Sequence, residues 1–206
     1  MKIRAVCRGN PEVLPGKKYK TGINKTAVSG PMMVDAQGLV GDSICNRKHH
    51  GGVEQAIYLE GSIDLAWWES ELGRDLPPGT FGENLLVEGL DNRTLAAGDR
   101  FAIGDVLLEV TSPRMPCATF AARMGEPAMV KRYACAARGG AYCRVLKAGL
   151  IEAGQDVAVM PYDGERVSLP EMMATFGRSL SQHDRQRYLG APINDRWKQD
   201  IRRAIS

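Results

Sequence analysis

A chain of 206 residues, 44% hydrophobic and 25% charged, suits one globular domain, with a core that needs no disulfide or metal staple. A formal charge of +3 is too small to argue for a nucleic-acid polymer as partner. No apolar run approaches membrane-spanning length and Met1-Lys2-Ile3-Arg4 opens no signal peptide, so a cytoplasmic protein without a membrane partner is expected.

In chain order, short apolar runs alternate with glycine-rich turns. Strands are expected over 56–59, 84–87, 100–103, 106–111, 142–146 and 156–160, and Gly104-Asp105 reads as a hairpin turn. Many short strands of this kind suggest a mainly β sandwich or barrel. Ile63, Leu65, Ala66, Trp67 and Leu72 predict a helix over 62–72, stopped by Gly73. A second helix is expected around 126–135. After Pro161 the strand signals vanish. Ser168-Leu169-Pro170-Glu171 reads as a capping box, Ser181 as an N-cap before 185–189, and Asn194 or Asp195 as the cap of a last helix carrying Trp197, Ile201 and Ile205. The expectation is a β domain over 1–161 and a three-helix appendage over 162–206.

Four segments carry candidate chemistry. Asn46-Arg47-Lys48-His49-His50-Gly51-Gly52 is rich in cations and bare amides, so it reads either as a phosphate cradle or as a solvated basic loop; the Walker spacing is absent. Cys45 and His49 lack the second pair that a structural zinc site needs. In Gly79-Thr80-Phe81-Gly82-Glu83-Asn84-Leu85, Gly82 permits close backbone approach to a ligand, while Glu83 and Asn84 offer acceptors and donors to a heterocycle edge; a plain tight turn is the simpler reading. In Ser112-Pro113-Arg114-Met115-Pro116-Cys117-Ala118-Thr119-Phe120 the prolines exclude helix and hold one thiol in a stiff place, with Arg114 close enough to favour a thiolate. That thiol can attack, relay sulfur or bind a soft metal. The other cysteines (Cys7, Cys45, Cys135 and Cys143) form no C-x-x-C pair and read as free thiols in a reducing compartment. Strand alternation puts Tyr142 and Arg144 on one face and Cys143 on the other, so Cys143 is expected to be packed.

Taken in order, these segments resemble the MOSC family, named for the C-terminal domain of molybdenum cofactor sulfurases. The matching pieces are Thr21-Gly22-Ile23-Asn24-Lys25, Gly41-Asp42, Arg47 with His50-Gly51-Gly52, the segment from Gly79 to Leu85, Gly98-Asp99, Pro113-Arg114 with Pro116-Cys117, and the segment from Gly140 to Val145. The helical tail is similar to that of the YiiM-like branch. Asn46, His49 and Cys143 depart from the family pattern.

The resemblance implies a closed β-barrel of the pyruvate kinase type that binds molybdenum cofactor (molybdopterin). By carry-over, Cys117 is the protein ligand to molybdenum and the catalytic residue, consistent with the affinity of a soft thiolate for a thiophilic metal. Arg47, Lys48, His50, Gly51 and Gly52 would hold the anionic end of the cofactor, Gly82, Glu83 and Asn84 would read the pterin, and Arg114 would bind phosphate or tune the thiolate. The implied activity is reduction of N-hydroxylated compounds such as N-hydroxylated purine bases. No flavin fingerprint or iron–sulfur cysteine cluster is present, so electrons would come from a separate flavoprotein or other reductase. A homodimer is compatible with this reading. A carrier of sulfur, as a Cys117 persulfide, or of cofactor is the alternative.

Overall fold

The computed structural model describes residues 1–46 and 50–203. The strands are β1 (Lys2–Gly9), β2 (Glu12–Val13), β3 (Lys20–Thr21), β4 (Lys25–Ala27), β5 (Met32–Asp35), β6 (Gly38–Leu39), β7 (Ile57–Gly61), β8 (Leu85–Glu88), β9 (Arg100–Ile103), β10 (Val106–Pro113), β11 (Ala141–Lys147), β12 (Gly149–Ile151) and β13 (Ala158–Met160). The helices are α1 (Ser62–Leu72), α2 (Ala118–Met124), α3 (Met129–Ala136), α4 (Leu169–Thr175), α5 (Gln182–Gly190) and α6 (Asp195–Arg203). The result is a mixed, sheet-dominated fold with several helices.

Eight strands form one sheet in the order β13-β9-β10-β11-β7-β8-β1-β4. Within it only β7 and β8 run parallel, and α1 supplies the crossover that a parallel pair requires. β9 and β10 form the expected hairpin, with Ile103 opposite Val106 and Gly104 at φ 55° in the turn. Lys2 bridges Asp156, Ile3 N donates to Gln155 O at 2.9 Å and Val157 N donates to Met1 O at 2.8 Å. These bonds join β1 to the segment leading into β13, at the far end of the sheet order.

Alternation along the strands builds one hydrophobic cluster from Ile57, Leu59, Leu85, Phe101 and Val110. Leu169, Met172, Tyr188 and Ile201 from the helices enter the same cluster, so residues on both sides of Pro161 share a core. A second cluster gathers Leu65, Trp68, Phe81, Phe120 and Tyr133. Trp68 stacks on Tyr133 there, with centroids 5.5 Å apart. α1 ends where expected, with Gly73 in the left-handed region at φ 60°.

The tail is tied to the sheet by polar contacts. Buried Asp99 accepts from Ala96 N, Tyr162 N and Arg166 Nη1, each at 2.8 Å. Asn194 N donates to Thr111 O at 3.1 Å, and Asn194 Nδ2 donates to Ser112 Oγ at 2.9 Å. Of the expected caps, Ser168 accepts from Glu171 N, Ser181 from Asp184 N, and Asn194 Oδ1 from Trp197 N. The capping box is incomplete, because the Glu171 carboxylate pairs with Arg187 across the gap to α5. Ile205 lies outside the described residues.

One expectation is overturned. Ala118, Thr119 and Phe120 are helical, forming the first turn of α2, with Cys117 in extended conformation as its N-cap. Proline restricts its own φ and the residue before it, not the residues that follow. Pro116 therefore ends the irregular stretch and leaves Cys117 at a helix entrance.

Candidate functional site

A cavity of about 300 Å³ opens beside Cys117, at the small end of the range for ligand sites. Its lining is drawn from distant parts of the chain. The loop after β6 contributes Asp42, Cys45, His50 and Gly51, the strands contribute Lys25, Tyr58 and Tyr142, and Phe81, Gly82 and Asn84 come from the turn before β8. Arg114, Cys117 and Thr119 come from the junction of β10 and α2. Across one edge Tyr19 Oη and Thr119 Oγ1 lie 2.9 Å apart, joining the residue before β3 to α2.

Cys117 is half-buried. Burial alone would push its thiol up. A hydrogen bond from His50, the charge of Arg114 and the Phe120 N–H more than offset that, and the value falls from 9.0 to about 6. Arg114 is 4% exposed and is held from below, with its guanidinium carbon 4.0 Å from the centre of the Phe120 ring. Because the folded value is depressed, the thiolate contributes stability that is fully present above the unfolded value and is lost as pH falls through about 6. Alkylation of Cys117 by iodoacetamide in cofactor-free protein should therefore follow a titration centred at pH about 6. Replacing His50 with Gln should move that midpoint upward, and a wild-type midpoint above about 8, that of an ordinary thiol, would show that the site does not activate the sulfur.

The opposite wall is a buried ion pair. Lys25 donates to Asp42, and both side chains are nearly inaccessible. Burial lowers the Lys25 ammonium below its ordinary value, with Asp42 pulling the other way. Asp42 also accepts from Gly9 N at 2.8 Å and from Asn84 Nδ2 at 2.9 Å. Asn84 is fully engaged in bracing this wall. Its Oδ1 accepts from Tyr58 N at 3.1 Å, and its backbone N donates to Tyr58 O at 2.7 Å.

The expected site residues thus separate. His50, Gly51, Gly82, Asn84, Arg114 and Cys117 come together around one cavity. Arg47 and Lys48 lie outside the described residues. Gly52 is not among the lining residues and instead opens a short 3-10 turn over Val53–Gln55. Glu83 does not line the cavity either. It is fully buried and its two oxygens accept from Gly79 N and Phe81 N, closing the turn on itself. Asn84 lines the cavity but spends its side chain on the protein's own groups rather than offering them to a heterocycle. Lys25, Asp42, Tyr58 and Tyr142 went unassigned by sequence reasoning. Lys25 and Asp42 lay inside segments that carried the resemblance, which was the available signal, whereas Tyr58 read as an ordinary strand residue. His49 lies outside the described residues, and among the described residues no His/Cys/Asp/Glu cluster is arranged to hold a metal.

The turn carrying Glu83 depends on a glycine. Gly79 sits at φ 90°, and a Cβ there would meet the Lys25 carbonyl oxygen at 2.2 Å. Gly79→Ala should cost at least about 2 kcal/mol from strain and displaced backbone, read as a lower urea midpoint at unchanged slope. A loss below about 0.5 kcal/mol, the range of ordinary surface changes, would show that the turn is not held this tightly.

A family model for the MOSC domain matches residues 46–158. The chain belongs to the MOSC family. Among its relatives, YflK of Bacillus subtilis is 30% identical over 178 residues, covering 85% of this chain and 78% of that protein. A protein of Gibberella moniliformis named as a reductase is 32% identical over 157 residues, covering 71% of this chain but only 27% of its own length. The crystal structure of YiiM from Geobacillus stearothermophilus superposes with a TM-score of 0.83 at 24% identity, covering 100% of this chain and 99% of that one. That likeness shows a shared fold over the whole chain, helical tail included. MOSC domains are associated with molybdenum cofactor binding, and the MOSC match runs from the cavity loop through Cys117 to β13. No helix among the described residues is long and apolar enough to cross a membrane.

Proposed function

We propose that this MOSC protein is a molybdenum-cofactor-dependent reductase of N-hydroxylated compounds, N-hydroxylated purine bases among them, with Cys117 as the protein ligand to the metal. The observation that carries this reading is a thiol held as thiolate near neutral pH, half-buried against a cavity between His50 and Arg114. The donor set fits the cofactor. A thiolate is the soft ligand a thiophilic metal takes, and Lys20 and Arg114 bring positive charge to the lining beyond the internally paired Lys25–Asp42, suited to an anionic pterin. Tyr58, Phe81 and Tyr142 supply aromatic surface for a planar ring. When bound, the cofactor supplies the redox chemistry that removes oxygen from an N–OH group.

The chain's own residues do the positioning. Arg114 and His50 keep Cys117 deprotonated and ready to ligate. The Lys25–Asp42–Asn84 brace fixes the wall facing them. Arg47 and Lys48, by the family resemblance, add cations at the anionic end. The fold is read as a closed barrel, supported by the Lys2–Asp156 bridge between β1, next to one end of the sheet order, and the segment leading into β13 at the other. Electrons come from a separate flavoprotein or other reductase, and the protein works in the cytoplasm.

The experiment is turnover of an N-hydroxylated purine by protein purified from a cofactor-competent host, with a flavoprotein reductase in excess. Molybdenum, pterin and turnover together support the reading. Absence of both metal and pterin from such a preparation sinks it and favours the sulfur-carrier alternative, which mass spectrometry would register as extra sulfur on Cys117.

A further inference from the structure

Behind the cavity lies a carboxyl that the function above does not use. Glu60 is fully buried near the end of β7. Its Oε2 accepts from Tyr58 Oη at 2.6 Å, and its Oε1 accepts from Asn92 Nδ2. Tyr58 and Glu60 stand two apart on one strand, so they share a face. Tyr58 Oη lies 3.2 Å from Tyr133 Oη, and Tyr58 lines the cavity that holds Cys117. Burial holds the Glu60 carboxyl well above its ordinary value; Asp64 and Glu83 push the same way, and the hydrogen bonds from Tyr58 and Asn92 oppose them. The charged and titratable groups around this cluster are Asp64 on α1, paired with Arg138 at 2.9 Å, Glu83 before β8, Tyr133 on α3, and Arg114, which acts on Tyr58 and Tyr133.

Packing does not require an acid here. Ionised, Glu60 accepts from both Asn92 and Tyr58. Protonated, it still offers Asn92 an acceptor while the short bond to Tyr58 reverses, Glu60 donating and Tyr58 turning its own hydrogen toward Tyr133, and a glutamine amide would offer the same acceptor and donor. The acid adds one capacity, a proton that can leave. Among the described residues Tyr58 is the hydroxyl hydrogen-bonded to Glu60.

We propose that Glu60 is the proton reservoir of the cavity and exchanges its proton through the Tyr58 hydroxyl. The role rests on the reductase reading above. Reduction of an N-hydroxylated amine consumes two electrons and two protons: the N–O bond breaks, an N–H bond forms and the hydroxyl leaves as water. The electrons come from the flavoprotein reductase. Glu60 supplies one of the two protons: its O–H bond breaks as Tyr58 Oη takes that proton, and the Tyr58 O–H bond breaks as its own proton goes to the departing substrate hydroxyl. The second proton, which forms the N–H bond, comes from solvent. The same path returns a proton from solvent between turnovers. Glu60 acts through Tyr58 and is therefore a positioning and relay residue.

The first arm of the test needs no cofactor. The full-length protein in neutral buffer should show an infrared band of a protonated carboxyl that Glu60→Gln removes. On transfer to heavy water that band should shift quickly in wild type and at least about tenfold more slowly in Tyr58→Phe, because the hydroxyl is gone. Absence of the band, or equal exchange in the two proteins, overturns the proposal. The second arm uses the loaded protein. Wild-type turnover should fall as pH rises through the raised Glu60 value. Glu60→Gln should lose that limb, turn over about 10²-fold more slowly, as for loss of a general acid, and keep its KM, with partial rescue in Glu60→Asp. A Glu60→Gln profile matching wild type overturns the relay. A loaded wild type with no turnover at all refutes the reductase reading instead, and the exchange arm then still decides whether Glu60 feeds the cavity.

Discussion

Cys117→Ala protein from a cofactor-competent host should carry little molybdenum and turn over N-hydroxylated substrate at less than about a hundredth of the wild-type rate. Even loss of an outer-shell partner typically costs about 10–100-fold in metal affinity or activity, and here the ligand itself is removed. The fold should survive. Cys117 is only half-buried and its backbone carbonyl accepts from Ala121 N at 3.0 Å, so alanine keeps that bond at the start of α2 and gives up there only the Phe120 N–H contact to the sulfur. Cys117→Ser keeps an oxygen at the site but loses the soft ligand, and should behave like alanine for the metal. Full molybdenum loading and turnover in Cys117→Ala, with native circular dichroism, would remove this residue from the chemistry. His50→Gln should be milder, because Arg114 remains to favour the thiolate.

Asp42→Ala should lower stability by about 3–5 kcal/mol, the usual result of stripping one partner from a buried ion pair. Three donors converge on this carboxylate: Lys25 Nζ, Gly9 N and Asn84 Nδ2. Alanine removes this acceptor from all three, leaves Asn84 Nδ2 only the long bond to Cys7 O at 3.4 Å and strips Lys25 of its counter-ion. At about 2–4 °C per kcal/mol for a chain of this size, the melting temperature should fall by roughly 10 °C. The sign of the pH dependence follows from Lys25. Its folded value is lowered, so stability rises with pH across the window that ends at its ordinary value of 10.5. Without Asp42 the ammonium is disfavoured further, so the loss should be larger at neutral than at alkaline pH. The double change Lys25→Met with Asp42→Leu should recover much of the loss, because apolar replacement of both partners is often neutral. A single-variant loss below about 1 kcal/mol, as for an exposed pair, would mean that this wall is not held by the pair.

What was legible in the sequence was local. The Gly104-Asp105 hairpin, the stop at Gly73 and the caps at Ser168, Ser181 and Asn194 each need only neighbouring residues to act, and each formed. Cys117 stood out for the same reason, since its prolines and Arg114 are adjacent in sequence. What stayed hidden were partners that sequence does not display. Glu83 looked like a free acceptor because the turn that closes on it is invisible until Gly79 and Phe81 present their amides. Asn84 offered the right groups for a heterocycle, but Tyr58 and Asp42 reach them first. The Lys25–Asp42 pair and the Glu60–Tyr58 contact depend on strand placement and burial, which periodicity alone does not rank. The helix beginning at Ala118 was lost by extending the influence of Pro116 in the wrong direction.

The cavity draws its walls from as far apart as Tyr19 and Tyr142. β11, which carries Tyr142, pairs with both β10 and β7, the strands leading to Cys117 and bearing Tyr58. A chain still emerging, or one whose sheet has come apart, therefore has nothing to offer a ligand. Any ligand of this cavity would load late, onto finished molecules, and an occupant that binds only the finished sheet deepens the native basin by mass action. A ligand seated there would thus report completed folding, and its supply would add to the stability of each molecule that holds it.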